Sequence, residues 1–134
     1  MRSNRSIPQC TVIPEIGYPD IGAAIPWLTD AFGFTLRLRI GDHRAQMNVG
    51  DGAVVLTEST NSACISSVLI RVDDVDSHHD RARAHGAVIV QPPADHLYGE
   101  RQYTATDPAG HRWTFSQSIA DVDPMEWGGT PGAL

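Results

Sequence analysis

Lysine is missing from the chain altogether: all ten basic residues are arginines. The absence excludes a Schiff-base lysine, a Walker A phosphate loop and a lysine general base. Positive charge is scarce overall, with 10 basic against 16 acidic residues for a formal net charge of −6. Nucleic-acid backbones demand clustered positive charge, which dispersed arginines do not supply, so no nucleic-acid partner is expected. An acidic chain suits neutral or cationic small ligands better. Cysteine is limited to Cys10 and Cys64. They read as two unrelated reduced thiols, with a bridge between them left open by sequence alone. No apolar stretch approaches the roughly 20 residues of a membrane span. The charged start, Met1-Arg2-Ser3-Asn4-Arg5, is not followed by the apolar core of a secretory signal. A cytoplasmic protein with no membrane partner is the expectation.

What is present is enough for one packed domain: 134 residues, 41% of them hydrophobic. Residues 1–10 read as a flexible N-terminal arm and 118–134 as a C-terminal tail rich in glycine and proline. Between them two stretches follow the same order. The first starts with a strand over Thr11 to Tyr18. Asp20 then caps a helix from Ile21 to Phe32, whose Ile21, Ala24, Ile25, Leu28, Ala31 and Phe32 recur at helical spacing. Pro26 predicts a late start or a bend, and Gly33 closes the helix. Phe34 to Ile40 alternates apolar residues with Arg37 and Arg39, which predicts a half-buried strand. Strands over Arg44 to Val49 and Ala53 to Glu58 flank an Asp51-Gly52 turn. In the second stretch, Ser66 to Val72 is a strand and Asp73-Asp74 offers the cap. Val75 to His85 is the helix, ended by Gly86. Ala87 to Gln91 is a strand stopped by Pro92-Pro93, and strands over Arg101 to Thr106 and Arg112 to Ser116 complete the set. Asp20 to Gly33 and Asp73 to Gly86 are both steps of 13 residues. The chain is therefore βαβββ twice: an α+β fold of two tandem modules, about 11–60 and 65–117, within a domain over 11–117. Such units form curved, mainly antiparallel sheets that bury one another and enclose a cavity.

Several words in this frame are distinctive: Tyr18-Pro19-Asp20, Ala31-Phe32-Gly33-Phe34, Val72-Asp73-Asp74-Val75-Asp76, Tyr98-Gly99 and Asp107-Pro108-Ala109-Gly110-His111-Arg112-Trp113. Together with the doubled module they resemble the vicinal oxygen chelate superfamily, which includes glyoxalase I, bleomycin-resistance proteins and extradiol dioxygenases. The resemblance is nearest to small glyoxalase-like or bleomycin-resistance-like bacterial proteins. It implies a homodimer whose chains combine modules to close cavities, and, in the enzymes, a divalent metal held by His or Glu from the first and last strand of each module. Counting from the shared landmarks puts those four positions at Ile13, Leu56, Ser67 and Thr114. None is a metal donor, and such sites need three or four. Neither a metal nor another cofactor is expected. The six histidines read as solvated or capping residues, since none falls on a cavity-facing strand position.

Strand alternation assigns Val55, Trp113 and Phe115, among others, to the core. The face in phase with the four positions carries Glu15, Gln46, Asn48, Glu58, Ser67, Leu69, Arg101, Tyr103 and Thr114. Phe34 and Tyr98 join Tyr103 as candidates for stacking on a planar ligand, and Glu15 and Glu58 as partners of a cation. The first functional expectation is a metal-free binding protein that sequesters a planar or cationic compound. The alternative is an enzyme of the lyase, isomerase or dioxygenase type with an unusual metal site or none, in which Glu15 or Glu58 acts as base and Arg101 or Tyr103 steadies an oxyanion. A non-catalytic module with a vestigial cavity is the third.

Overall fold

A computed structural model of the chain describes residues 2–61 and 64–133. Met1 and Leu134, the outermost residues of the expected arm and tail, lie outside the described residues. The first module comprises β1 (Glu15–Tyr18), α1 (Ile21–Phe32), β2 (Thr35–Ile40), β3 (Arg44–Val49) and β4 (Gly52–Glu58). The second comprises β5 (Ser67–Arg71), α2 (Val75–Ala84), β6 (Val88–Asp95), β7 (Glu100–Thr106) and β8 (Arg112–Ser118), followed by a short 3-10 turn at Pro124–Trp127. Each module makes its own four-stranded sheet, in the orders β1-β4-β3-β2 and β5-β8-β7-β6. The outer pairs β1·β4 and β5·β8 are parallel and the other ladders antiparallel. Neither sheet closes on itself, and each is covered by its helix on one face only.

The helices form where the sequence places their caps. Asp20 accepts from the Ala23 amide and Asp74 from the Ser77 amide, each satisfying an orphan donor of the first turn. Gly33 closes α1 at φ 78°, a left-handed conformation that glycine adopts freely. Pro26 neither delays nor breaks α1, which runs continuously through it; its neighbours Ile25 and Leu28 are buried, so packing outweighs the missing hydrogen bond. The strand over Ala87 to Gln91 also runs further than expected. β6 continues through Pro92 and Pro93 to Asp95, with a register irregularity between Gln91 and Ala94. An edge strand tolerates prolines because the missing amide faces no neighbour.

The two modules share one core. Phe32 and Phe34 from the first meet Trp113 and Phe115 from the second at ring-centroid distances of 4.9 to 5.9 Å. Polar contacts fix the joint. Asp107 is buried, yet its carboxylate accepts from the Tyr18 hydroxyl at 2.6 Å, Trp113 Nε1 at 3.0 Å, and the amides of Ala109 and His111. His111 donates from Nε2 to the Gly17 carbonyl and accepts the Ser66 amide at Nδ1, which fixes the neutral tautomer. From α2, Arg81 donates to the carbonyls of Asp30 and Thr29, capping the C-terminus of α1.

Candidate functional site

Each sheet has one face turned away from its helix, and the sequence puts the candidate site residues there. On the first sheet, the registers Glu15↔Val55, Gln46↔Val55 and Asn48↔Ala53 place these residues together on the helix-free side. Arg37 joins them and donates to Gln46 Oε1. Glu15 is exposed and accepts from Arg44 at 3.0 Å. Asn48 donates to Thr35 Oγ1. On the second sheet, the registers Leu69↔Thr114, Arg71↔Ser116, Gln102↔Ser116 and Thr104↔Thr114 define the equivalent face, with Ser67 at its end. Thr104 and Thr114 share a hydrogen bond of 2.8 Å. Tyr98 donates to Gln102, Gln102 donates to Ser116, and Ser116 donates to Glu100 at 2.7 Å. Hydrogen bonding from Ser118 and Ser116, with the charge of Arg71, holds the Glu100 carboxyl below the usual carboxylate range. This is a fixed polar floor. Leu69 (63% exposed) and Val88 (64%) lie open on it.

Five expected positions, Leu56, Glu58, Arg101, Tyr103 and Phe34, lie elsewhere. In β4 the phase is reversed: Leu56 is fully buried against the helix side, in register with Ile16 and Ala45, while Val55 faces away. Glu58 follows Leu56 to the helix side, in register with Tyr18, so it does not share a face with Glu15. In β7, Arg101 points toward α2 and bonds Asp76 at 2.8 Å as well as Asp95, and Tyr103 is fully buried. Phe34 is likewise a core residue, 3% exposed. Gln46, Asn48, Glu15, Ser67, Leu69 and Thr114 do lie on helix-free faces, and Tyr98 sits at the rim of the second.

The reasons are physical. β4 is buried on both sides over Ala53, Val54, Val55 and Leu56, so it has no apolar–polar alternation to read. β7 misleads because the helix above it is itself polar: Arg101 and Tyr103 find Asp76 and His78 there. His78 was not expected as an interior residue. Its ring centroid lies 4.1 Å from that of Phe115, with the two planes tilted by 34°. Nε2 donates to the Phe32 carbonyl, leaving Nδ1 to accept from the Tyr103 hydroxyl. Burial, with the nearby Arg81 charge, lowers its pKa from the ordinary histidine value, against the pull of the Phe32 carbonyl. Burial also raises the Tyr103 phenol well above its usual range. The missed signal was periodicity: Val75, His78 and Ala82 are one face of α2.

The metal implied by the resemblance does not fit the donors on this chain. With β4 corrected, the helix-free positions are Ile13, Val55, Ser67 and Thr114. Among the described residues no group of three or more His, Cys, Asp or Glu side chains is placed to hold a metal ion. Cys10 and Cys64 are free thiols, the first half-buried and the second exposed. No described helix is long and apolar enough to cross a membrane.

Two βαβββ modules with paired open sheets define a class, and comparison with known proteins identifies it. Residues 7–115 match the sequence model of the glyoxalase/bleomycin resistance protein/dioxygenase superfamily, and the chain belongs to that superfamily. It is similar to TioX from Micromonospora sp. ML1, with 35% identity and a TM-score of 0.74 over 80% of this chain and 97% of that one. The bleomycin resistance determinant encoded on transposon Tn5 shares the fold at 15% identity and a TM-score of 0.69, covering 84% of this chain and all of its own. An uncharacterised protein of Mycobacterium bovis is 32% identical over 94 residues, which are 70% of this chain and 59% of that relative. The chain thus spans about three fifths of the length of this curated relative.

Proposed function

We propose that the chain is a small-molecule binding protein that sequesters a planar compound without a resident metal, as a homodimer whose open sheet faces close on one another. The observation that carries this reading is the polar floor of the second sheet. Its hydroxyls and amides are already oriented by mutual hydrogen bonds, with Leu69, Val88 and Tyr98 exposed beside them. Such a surface gives a ligand apolar area and a few fixed polar contacts. The base and oxyanion donor that the sequence offered for an enzyme, Glu15 or Glu58 with Arg101 or Tyr103, are not brought together. Glu15 is paired with Arg44 and Glu58 is on the opposite face, while Arg101 and Tyr103 are engaged by α2. The same geometry favours a planar ligand over a cation, because no two carboxylates meet on one face of the first sheet.

Thermal-shift titration against a panel of planar antibiotics, bleomycin included, tests the proposal. A ligand at a hundredfold excess over Kd adds about 2.7 kcal/mol, roughly 10 °C for a domain of this size. A panel in which nothing stabilises the chain counts against it. So does a stoichiometric transition metal in protein purified without chelators.

A further inference from the structure

The two helix-free faces differ in one respect: the N-terminal arm lies across the first. Arg37 Nη2 donates to the carbonyls of Arg5 and Ile7 at 3.1 and 3.2 Å, and Gln46 Nε2 donates to the Ser6 carbonyl at 2.9 Å. Gln46 is 4% exposed and Val55 opposite it 4% exposed, although no helix covers this side of the sheet. Arg37 and Gln46 act as a unit, because the guanidinium also donates to Gln46 Oε1. These bonds go to three successive backbone carbonyls and to no arm side chain. Ile7 is half exposed. The arm amides of Ser6 and Ile7 are satisfied within the arm by Asn4, so the arm is not a strand of the sheet.

We propose that the arm is a built-in occupant of a binding face, and that this face takes small molecules presenting amide-type carbonyl oxygens at the spacing of a turn, like that of residues 5–7, which displace it. The inference rests on the reading of the chain as a small-molecule binder. Recognition through backbone carbonyls is independent of side-chain identity, so any ligand with acceptors at that spacing satisfies the same donors. A segment tied by a few side-chain bonds opens readily. An incoming molecule without acceptors would leave the Gln46 amide and the Arg37 guanidinium unpaired, which is strongly disfavoured. A hollow of about 330 Å³ between Pro8–Cys10 and Arg37, Asn48 and Ala53 gives access beside the arm.

The test uses the full chain, labelled with nitrogen-15, and an unlabelled acetylated peptide of the sequence Asn4 to Gln9 as probe. The peptide should shift the Gln46 side-chain amide saturably and bring the resonances of residues 5–8 to random-coil positions. The same peptide with its carbonyls at Arg5, Ser6 and Ile7 reduced to methylenes should do neither. In Arg37→Ala the arm should start at random-coil positions, with peptide affinity at least tenfold weaker. Random-coil arm resonances in the unmodified chain without peptide overturn the inference, as does equal displacement by the two peptides. Planar ligands that stabilise the chain while neither peptide moves the arm would sink this inference and leave the binding-protein reading standing. Displacement by the amide peptide alone, with a silent antibiotic panel, would sink the planar-ligand part of that reading and leave this inference standing.

Discussion

The two modules repeat one topology and hold their helices by different forces. α1 buries Ile21, Ala24, Ile25, Leu28, Ala31 and Phe32, an apolar stripe along its whole length. α2 buries only Val75 and Ala82; the rest of its docking is polar, through His78 to Tyr103 and Phe32, Arg81 to the end of α1, and Asp76 to Arg101. The outer faces differ in the opposite sense, the first covered by the arm and the second open. In this chain the second module, with its weakly apolar helix, docks on a core to which the first contributes most of the helix side chains. Polar docking is directional, so it fixes how the second module sits.

The contrast can be broken by substitution. Leu28→Ala in α1 should cost about 4 kcal/mol, since the side chain is fully buried in a site with little room to collapse. Val75→Ala in α2 should cost about 2 kcal/mol by its smaller buried volume. Equal shifts in urea midpoint for the two would erase the distinction. Asp107→Ala should cost about 3 kcal/mol, because it strands the Tyr18 hydroxyl and the Trp113 indole N–H in the core. Chemical denaturation followed by tryptophan fluorescence would measure it, and a loss under 1 kcal/mol would show that the joint does not depend on this carboxylate.

The polar docking of α2 also predicts a pH dependence. His78 has a folded-state pKa below that of the unfolded chain, so folding favours the neutral ring. Its contribution is fully present above the unfolded value near 6.5 and is lost as pH falls toward the depressed folded value. The slope is at most about 1.4 kcal/mol per pH unit. The groups facing it are Tyr103, the Phe32 carbonyl and Arg81, and none supplies a compensating negative charge. Urea midpoints between pH 7 and 5 should fall in the natural chain and flatten in His78→Gln; a matching slope in both would assign the effect elsewhere. Glu100, held low, acts only in a more acidic window, below the ordinary carboxylate range. The smallest effect is expected for Glu15→Gln, whose exposed pairing with Arg44 is worth under about 0.5 kcal/mol. A larger loss would mean that this face of the first sheet is more tightly organised than its exposure indicates.

How far the sequence carried depended on whether a segment had one environment or two. α1 was legible because its apolar stripe, Asp20 and Gly33 agree. β8 was legible because Trp113 and Phe115 alternate with Thr114 and Ser116. β4 was not, since an arm on one side and a helix on the other bury consecutive residues. β7 was not, since hydrophobicity cannot announce that a tyrosine and an arginine face a polar helix. Of the candidate site, the residues on evenly alternating strands lie on the helix-free faces, while Tyr103 and Phe34 pack in the core against His78, Phe115 and Trp113.

The amino-acid sequence by itself determined the doubled βαβββ order and the N-caps of both helices. Those follow from local periodicity, turn chemistry and side-chain identity, which need no knowledge of neighbours. Only the tertiary structure decided which side of β4 and β7 faces the helices, that His78, Asp107 and His111 join the modules, and that the arm covers one sheet face while the other stays open. These depend on contacts between residues 25 to 94 positions apart, where the chain's path, and not its local pattern, sets what each side chain meets.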